Sequence, residues 1–168
     1  MAGQEKIQVN DKGWARIRSL CTQYRLGKVA SVGIQGEKAA KEHKDPDGVP
    51  GTITNVELAT IHEFGSSDGH VPERSFIRST FDEKQSGYKK TLEAIGAAMT
   101  TGKTPEGGLL LLGEKFRADI IMAIKHIIPP PLADITVARR PKKDPTPLLD
   151  TGQMMNAIDS VVKDADAV

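Results

Sequence analysis

Gly102-Lys103-Thr104 has the ending of a phosphate-binding loop, in which glycine amides and a lysine cradle phosphate oxygens. That chemistry needs another glycine five residues before Gly102, where the chain carries Ala97, with Gly96 one residue off. The loop should also follow a strand, and the residues upstream have helical spacing. His62-Glu63 opens like a zinc-protease helix, whose second histidine stands four residues on. That place holds Ser66, and His70 lies beyond Gly65, off the helix. His43, His62, His70 and His126 give no pair at that spacing. Asp45 and Asp47 precede Gly48 without the other ligands of a calcium loop. No serine stands in a Gly-x-Ser-x-Gly elbow. Cys21 is the only cysteine, which leaves no second thiol for a disulfide or a metal. It reads as a small buried apolar residue. The expectation is therefore a protein that is not an enzyme, with no catalytic, cofactor or metal residues.

Bulk composition bounds the partners. The 168 residues are 38% hydrophobic and 27% charged, within the range of ordinary globular domains. Aromatics make up only 4%, so an aliphatic core is expected. Net charge is +1, from 23 basic and 22 acidic residues. A protein that lives on phosphate contacts carries a basic excess or patch. Here the one basic cluster is Arg139-Arg140-Pro141-Lys142-Lys143, so specific nucleic-acid binding is not expected. The first residues lack the apolar stretch of a signal peptide, and the longest apolar run, Leu109 to Leu112, is far short of a membrane span. Assembly in a cytoplasm is the expectation.

These residues need elements to hold them. Asp11 is placed to cap a first helix whose Trp14, Ile17, Leu20, Cys21 and Tyr24 form one apolar stripe, with Gly27 as its stop. Val29 to Gln35 alternate like a strand half-buried through Val32 and Ile34. Residues 36–53 are charged and then rich in turn formers, which predicts an exposed, mobile loop. Thr54 or Asn55 caps a short helix, Val56 to Phe64, packed through Val56, Leu58, Ala59, Ile61 and His62. Gly65 ends it, and Ser66 to Gly69 make a turn. Pro72 opens an extended link, and Ser75 caps a long helix reaching about Met99. Phe76, Ile77, Phe81, Tyr88, Leu92, Ile95 and Met99 fall on it mostly three or four apart. Thr101 to Pro105 breaks that helix. Another runs from Glu106 to Ile128, with Leu109, Leu112, Phe116, Ile120, Ile124 and Ile127 on one side. Two such helices joined by a short turn pack antiparallel. Pro129-Pro130-Pro131 stops the second one. Ile135 to Val137 is expected as a strand and residues 139–147 as a basic, proline-broken loop. A short helix near Met154 to Ala157, a strand from Ile158 to Lys163 and a frayed end at 164–168 complete the chain. The sum is one α+β domain over residues 1–168, three or four helices on a small antiparallel sheet.

Two motifs resemble a known family. Ile61-His-Glu-Phe-Gly65 is followed by Pro72-Glu-Arg-Ser-Phe76 and the long helix after Ser75. Later comes Pro147-Leu-Leu-Asp-Thr-Gly-Gln-Met-Met-Asn-Ala157-Ile158. In this order the segments resemble the neck and tail-completion proteins of tailed bacteriophages, also described as head–tail joining, minor tail or virion-morphogenesis proteins. The likeness covers residues 54–82 and 145–162, and more loosely the strand Val29 to Ile34. Ser75 departs from it, since the family commonly has a second proline there, and the 36–53 segment is longer than usual.

The resemblance implies a structural virion protein, a ring at the head–tail junction around a channel for DNA. It implies a hexamer, or a dodecamer at a twelve-fold neck layer, with heterologous contacts between copies. It also implies contacts with a connector or head-completion protein and with a tail-tube or tail-terminator protein, no membrane, and DNA that passes without specific binding. A tail terminator or tail-tube-associated role is the alternative. A small metal-dependent hydrolase using His62, Glu63 and His70, or a DNA-binding accessory using Arg139 to Lys143, are readings from other classes. Physically, Phe64 is expected to anchor the short helix in the core, Gly65 to permit the turn, Pro72 to stiffen the link and Phe76 to pack at its end. Asp150, Thr151 and Gly152 are expected to cap and turn the last short helix. The candidate interface residues are Glu63, Arg74, Arg78, Arg139, Arg140, Lys142 and Lys143. Arg74 and Arg78 are the cations expected to meet Glu63 or a neighbour's carboxylate. The loops 36–53 and 139–147 are the segments expected to reach adjoining subunits.

Overall fold

The computed structural model describes residues 27–44, 50–140 and 142–165. The helix expected over residues 11–26, with Cys21, lies outside them, as do residues 45–49, Pro141 and residues 166–168.

The two ends of the described chain meet. Strand β1 (Lys28–Ile34) pairs antiparallel with β4 (Ile158–Asp164), from Lys28 opposite Asp164 to Ile34 opposite Ile158. Between them come α1 (Glu37–Ala40), the hairpin strands β2 (Glu42–Lys44) and β3 (Pro50–Thr54), and α2 (Asn55–Phe64). Then follow α3 (Arg78–Thr100), α4 (Glu106–Lys125), α5 (Asp134–Arg139) and α6 (Gln153–Asn156). The class is α+β, as expected, with two separate two-stranded antiparallel sheets among the described residues, β1–β4 and β2–β3. No helix among the described residues is long and apolar enough to cross a membrane.

The long hairpin follows from its two apolar stripes. Ile95 meets Gly108, Tyr88 meets Phe116, and Lys84 meets Asp119, pairings that only an antiparallel α3 and α4 produce. Phe81, Tyr88 and Phe116 form an aromatic triangle with ring centroids 5.2 to 6.0 Å apart. The Asp119 carboxylate accepts from Tyr88 Oη at 2.8 Å and from Lys84 Nζ at 2.8 Å, which staples the hairpin on its polar side. The other face of α4 buries Ile120 and Ile124 against Phe76, Ala59, Leu148, Met154 and Ile158. Each such side chain contributes roughly 1.5–3 kcal/mol by leaving water. Gly113 lets α4 approach β4, because a methyl group there would strike the Ser160 hydroxyl.

Several local expectations need correction. Residues 36–53 are not a structureless excursion where they are described. Asn55, fully buried, donates from Nδ2 to the Lys38 carbonyl at 3.0 Å, and its backbone N–H reaches the Lys41 carbonyl at 3.0 Å. Gln153 Nε2 donates to the Glu42 carbonyl at 2.6 Å, and its Oε1 accepts from Lys44 N–H at 3.2 Å. Polar side chains thus hold α1 and β2 against α2 and α6, and β3 pairs with β2. Ile135 to Val137 lie in helix α5 rather than a strand. Thr136 and Val137 N–H both reach the Ala133 carbonyl, and Asp134 stands at the positive N-terminus. With Ile135 exposed, the triplet buries too little to be drawn into a sheet. Helix α4 ends at Lys125, because His126 is already extended ahead of the prolines, and Ile127 is exposed outside it. Val56 faces solvent and leaves the packing of α2 to Leu58 and Ala59.

Candidate functional site

The motif segment forms a corner between α2 and α3. Helix α2 starts with a reciprocal cap: Thr54 Oγ1 accepts from Glu57 N–H at 3.3 Å, and Glu57 Oε2 accepts from Thr54 N–H at 2.9 Å. At its other end stands Glu63, only 4% exposed. Its carboxylate accepts from the N–H groups of Phe76 (2.8 Å), Ile77 (3.0 Å) and Arg78 (2.9 Å). It also accepts from the Ser75 hydroxyl at 2.7 Å and from Arg78 Nε at 3.1 Å. The Ile77 and Arg78 amides are among those a helix start leaves unpaired, and the Phe76 amide immediately precedes them. Glu63 therefore caps α3 from a different helix, and α3 begins at Arg78 rather than at Ser75. Ser75 still accepts from Ser79 N–H at 3.2 Å, a secondary contribution to the same helix start. Burial pushes the Glu63 carboxyl up, but the Ile77 and Arg78 amides, the Ser75 hydroxyl and the Phe76 amide outweigh it and hold the group below its usual range.

Gly65 makes the bend with φ 81, and a methyl group on it would press the Glu73 amide at 3.1 Å and the Val71 carbonyl at 3.3 Å. Ser66 N–H closes the turn on the Val71 carbonyl at 2.8 Å, and Arg74 N–H returns to the His62 carbonyl at 2.8 Å. Pro72 sits in this returning strand of chain, as expected of a stiff link.

The two phenylalanines divide differently from the expectation. Phe76 is fully buried and is the anchor. Phe64 is 59% exposed and lies outside the core. The Arg78 guanidinium stacks over its ring, 4.5 Å from the centroid. Arg78 also donates to the Glu63 carbonyl at 3.0 Å and to Glu73 Oε1 at 2.7 Å. Phe64, Arg78 and Glu73 thus form a fixed knob on the surface, directly above the buried carboxylate. Glu63 itself, expected at an interface, is inside the protomer.

Arg74 is inside as well, at 4% exposure. It does not meet Glu63. Its Nε donates to the Pro130 carbonyl at 2.8 Å and its Nη2 to the Pro131 carbonyl at 3.3 Å, so it ties the link to the triple-proline turn. Arg140 is likewise a frame residue: Nη1 donates to the carbonyls of Asp144, Thr146 and Leu149, and Nη2 to that of Pro147. The loop around Thr146 is wound on this one guanidinium. Arg139, Lys142 and Lys143 are exposed, and Arg139 belongs to α5. Thr151 Oγ1 accepts from Gln153 N–H at 3.2 Å and Gly152 takes φ 76, so both serve the start of α6. Asp150 does not cap it; its carboxylate lies 3.8 Å from Arg140 Nε.

His62, Arg74, Arg140 and Asp150 border a cleft of about 600 Å³, together with His43 and His70. Burial, and then the positive Arg74 and Arg140 with His43, push His62 down to about 4, so its imidazole is neutral near pH 7. Its Nδ1 is buried with no hydrogen-bond partner among the described residues. No group of three or more His, Cys, Asp or Glu side chains among the described residues is placed to hold a metal ion. Gln153 is the structural residue with no distinctive signal in the sequence, because its side-chain amide works through the Glu42 carbonyl and the Lys44 N–H, far away in the chain. Comparison with protein-family models, with curated proteins and with solved structures gives no match.

Proposed function

We propose that this protein is a structural component of a tailed-phage virion, a ring at the head–tail junction that completes the tail or joins it to the connector. The observation that carries the proposal is what the motif builds. Glu63, the carboxylate a hydrolase reading of the segment would use, is saturated by five donors and committed to holding a helix start. What the motif offers outward is Phe64 with Arg78 stacked on it, an aromatic–arginine pair of the kind enriched where proteins meet. A rigid corner with an outward knob suits heterologous contact, in which one face of a subunit meets a different face of its neighbour.

The near-neutral net charge suits a channel through which DNA passes without being gripped. Arg139 at the end of α5 and Lys142 and Lys143 just beyond it, all exposed, are candidates for contact with the adjoining connector or tail proteins. Hexamer or dodecamer is the closed symmetry expected, with virion neck or tail as the location.

The test is assembly without the protein. Particles made in cells lacking it should accumulate as separate heads and tails, and the purified protein added back should join them. Normal joined particles in its absence would overturn the proposal. A stable dimer at every concentration in mass photometry would overturn the ring.

A further inference from the structure

The cleft of about 600 Å³ beside the motif corner carries more positive charge than its walls balance. Among the described residues its lining holds two arginines, Arg74 and Arg140, against a single carboxylate, Asp150. Asp150 stands with Arg140, 3.8 Å from its Nε and so beyond a hydrogen bond. Arg74, 4% exposed, has only carbonyls for partners. Pro130 and Pro131 pin its Nε and Nη2, which leaves Nη1 with no acceptor among the described residues. Burial, and then the like charge of Arg140, push this guanidinium down. An arginine so deeply buried ordinarily has an anionic partner.

The rest of the lining suits an anion with an apolar body. His62 makes no hydrogen bond among the described residues, and its Nδ1 is buried without a partner. Burial, Arg74, Arg140 and then His43 push it down to about 4, so near pH 7 the ring is neutral and its N–H is free to donate. His43 and His70 stand on the same lining, with Asp150 its one acid among the described residues. Leu58, Leu132, Leu148 and Met154 make much of the remaining wall. A largely apolar cleft of this size, with a few converging polar groups, is the ordinary form of a small-ligand site. A guanidinium held from behind presents its free edge as a fork, which matches the paired oxygens of a carboxylate.

We propose that this cleft binds a small carboxylate on an aliphatic body, with its oxygens on the free Nη1 side of Arg74 next to His62 and its body along Leu58, Leu132 and Met154. Arg140 adds attraction at longer range, and Asp150 opposes it. A carboxylate there offsets the positive charge that holds His62 neutral, so binding draws a proton toward that ring. Such a site works in an isolated protomer, whatever the protein assembles with.

Hexanoate is the probe. At pH 7 it should shift the His62 ring resonances saturably, while 1-hexanol, the same body without the charge, should bind about tenfold more weakly. Asp150→Asn removes the opposing carboxylate from a partly exposed position and should tighten hexanoate severalfold with the fold intact. Arg74→Met should abolish the shift; because it also frees the Pro130 and Pro131 carbonyls, Asp150→Asn is the deciding variant. Hexanesulfonate, ionised throughout an acid titration, should raise the His62 midpoint from about 4 toward the ordinary 6.5. An acetylated peptide ending in a free leucine carboxylate carries the same chemistry. Tighter binding than hexanoate would make the ligand a chain end, and weaker binding a free acid. Unmoved His62 resonances, hexanol as tight as hexanoate, or weaker binding in Asp150→Asn would overturn the proposal.

Discussion

Replacing Glu63 tests the corner directly. In Glu63→Ala the N–H groups of Phe76, Ile77 and Arg78 and the Ser75 hydroxyl lose their acceptor together. Hydrogen bonds to a charged group are worth about 1.5–3 kcal/mol each, but bonds sharing one acceptor are not additive, so their sum overstates the loss. Removing one partner of a buried, hydrogen-bonded charge costs about 3–5 kcal/mol, and that is the expected range. Total stability of a domain is about 5–15 kcal/mol, so the variant should fold but with a large part of its margin gone. For a chain of this length the melting temperature should fall by roughly 6–20 °C. Urea unfolding followed by circular dichroism reads this as a lower midpoint at unchanged slope.

Two companion variants separate the causes. Glu63→Gln keeps the shape but turns an amide NH₂ toward backbone donors, and should cost about 1–3 kcal/mol. Arg78→Met removes only the half-exposed partner and should cost much less than Glu63→Ala. The pH dependence carries the sign. The Glu63 pKa is lower in the folded state than in the unfolded chain, so its stabilisation is complete above about 4.5 and is lost as pH falls through the folded value. Glu63→Gln should therefore flatten the acid side of the stability curve. A Glu63→Ala loss below about 1 kcal/mol, or an unchanged acid limb in Glu63→Gln, would refute the capping argument.

Other outcomes follow from the same geometry. His62 titrates at about 4 folded against 6.5 for an ordinary histidine, so keeping it neutral should cost roughly 3 kcal/mol of stability between pH 6.5 and 4, and His62→Phe should remove that part of the acid slope. Gly65→Ala combines a glycine-only conformation with contact at 3.1 Å on the Glu73 amide, and should destabilise by about 2–3 kcal/mol in thermal melts. Gly69→Ala, with φ 72 but open space around it, should cost only about 1 kcal/mol. Phe64→Ala should leave the isolated protein within about 1 kcal/mol of wild type, because the side chain is largely exposed and lies outside the core; on the proposed assembly role it should also abolish head–tail joining.

The elements that announce themselves locally were legible. Thr54 with Glu57 three residues on is a capping signature within one turn, and it closes as such. The stripes of α3 and α4 needed only apolar spacing, and Thr101 to Pro105 only its turn residues. What was not legible depends on partners distant in sequence. Gln153 reaches Glu42 and Lys44, more than a hundred positions away, so the segment 36–53 looked unsupported. Arg74 is expected to meet Glu63 or a neighbour's carboxylate, but its acceptors are the carbonyls of Pro130 and Pro131. Backbone carbonyls carry no sequence signature, so an arginine that serves them looks the same as one that serves a neighbour.

The sharpest case is Glu63 and Phe64. As adjacent helical residues they point about 100° apart, and at the end of α2 Glu63 faces inward while Phe64 faces solvent. A motif read as letters favours Phe inside and Glu outside, since burying a carboxylate costs more than burying a ring. That ordering reverses when the inside offers several donors already in need of an acceptor, as the start of α3 does. Phe64 is then pushed out, where the Arg78 guanidinium, fixed by Glu63 and Glu73, covers one face of its ring. One pair of residues thus supplies the internal brace and, on the proposed assembly role, the external contact. The brace should be read by stability and the contact by assembly, and the two should fail independently when Glu63 and Phe64 are changed one at a time.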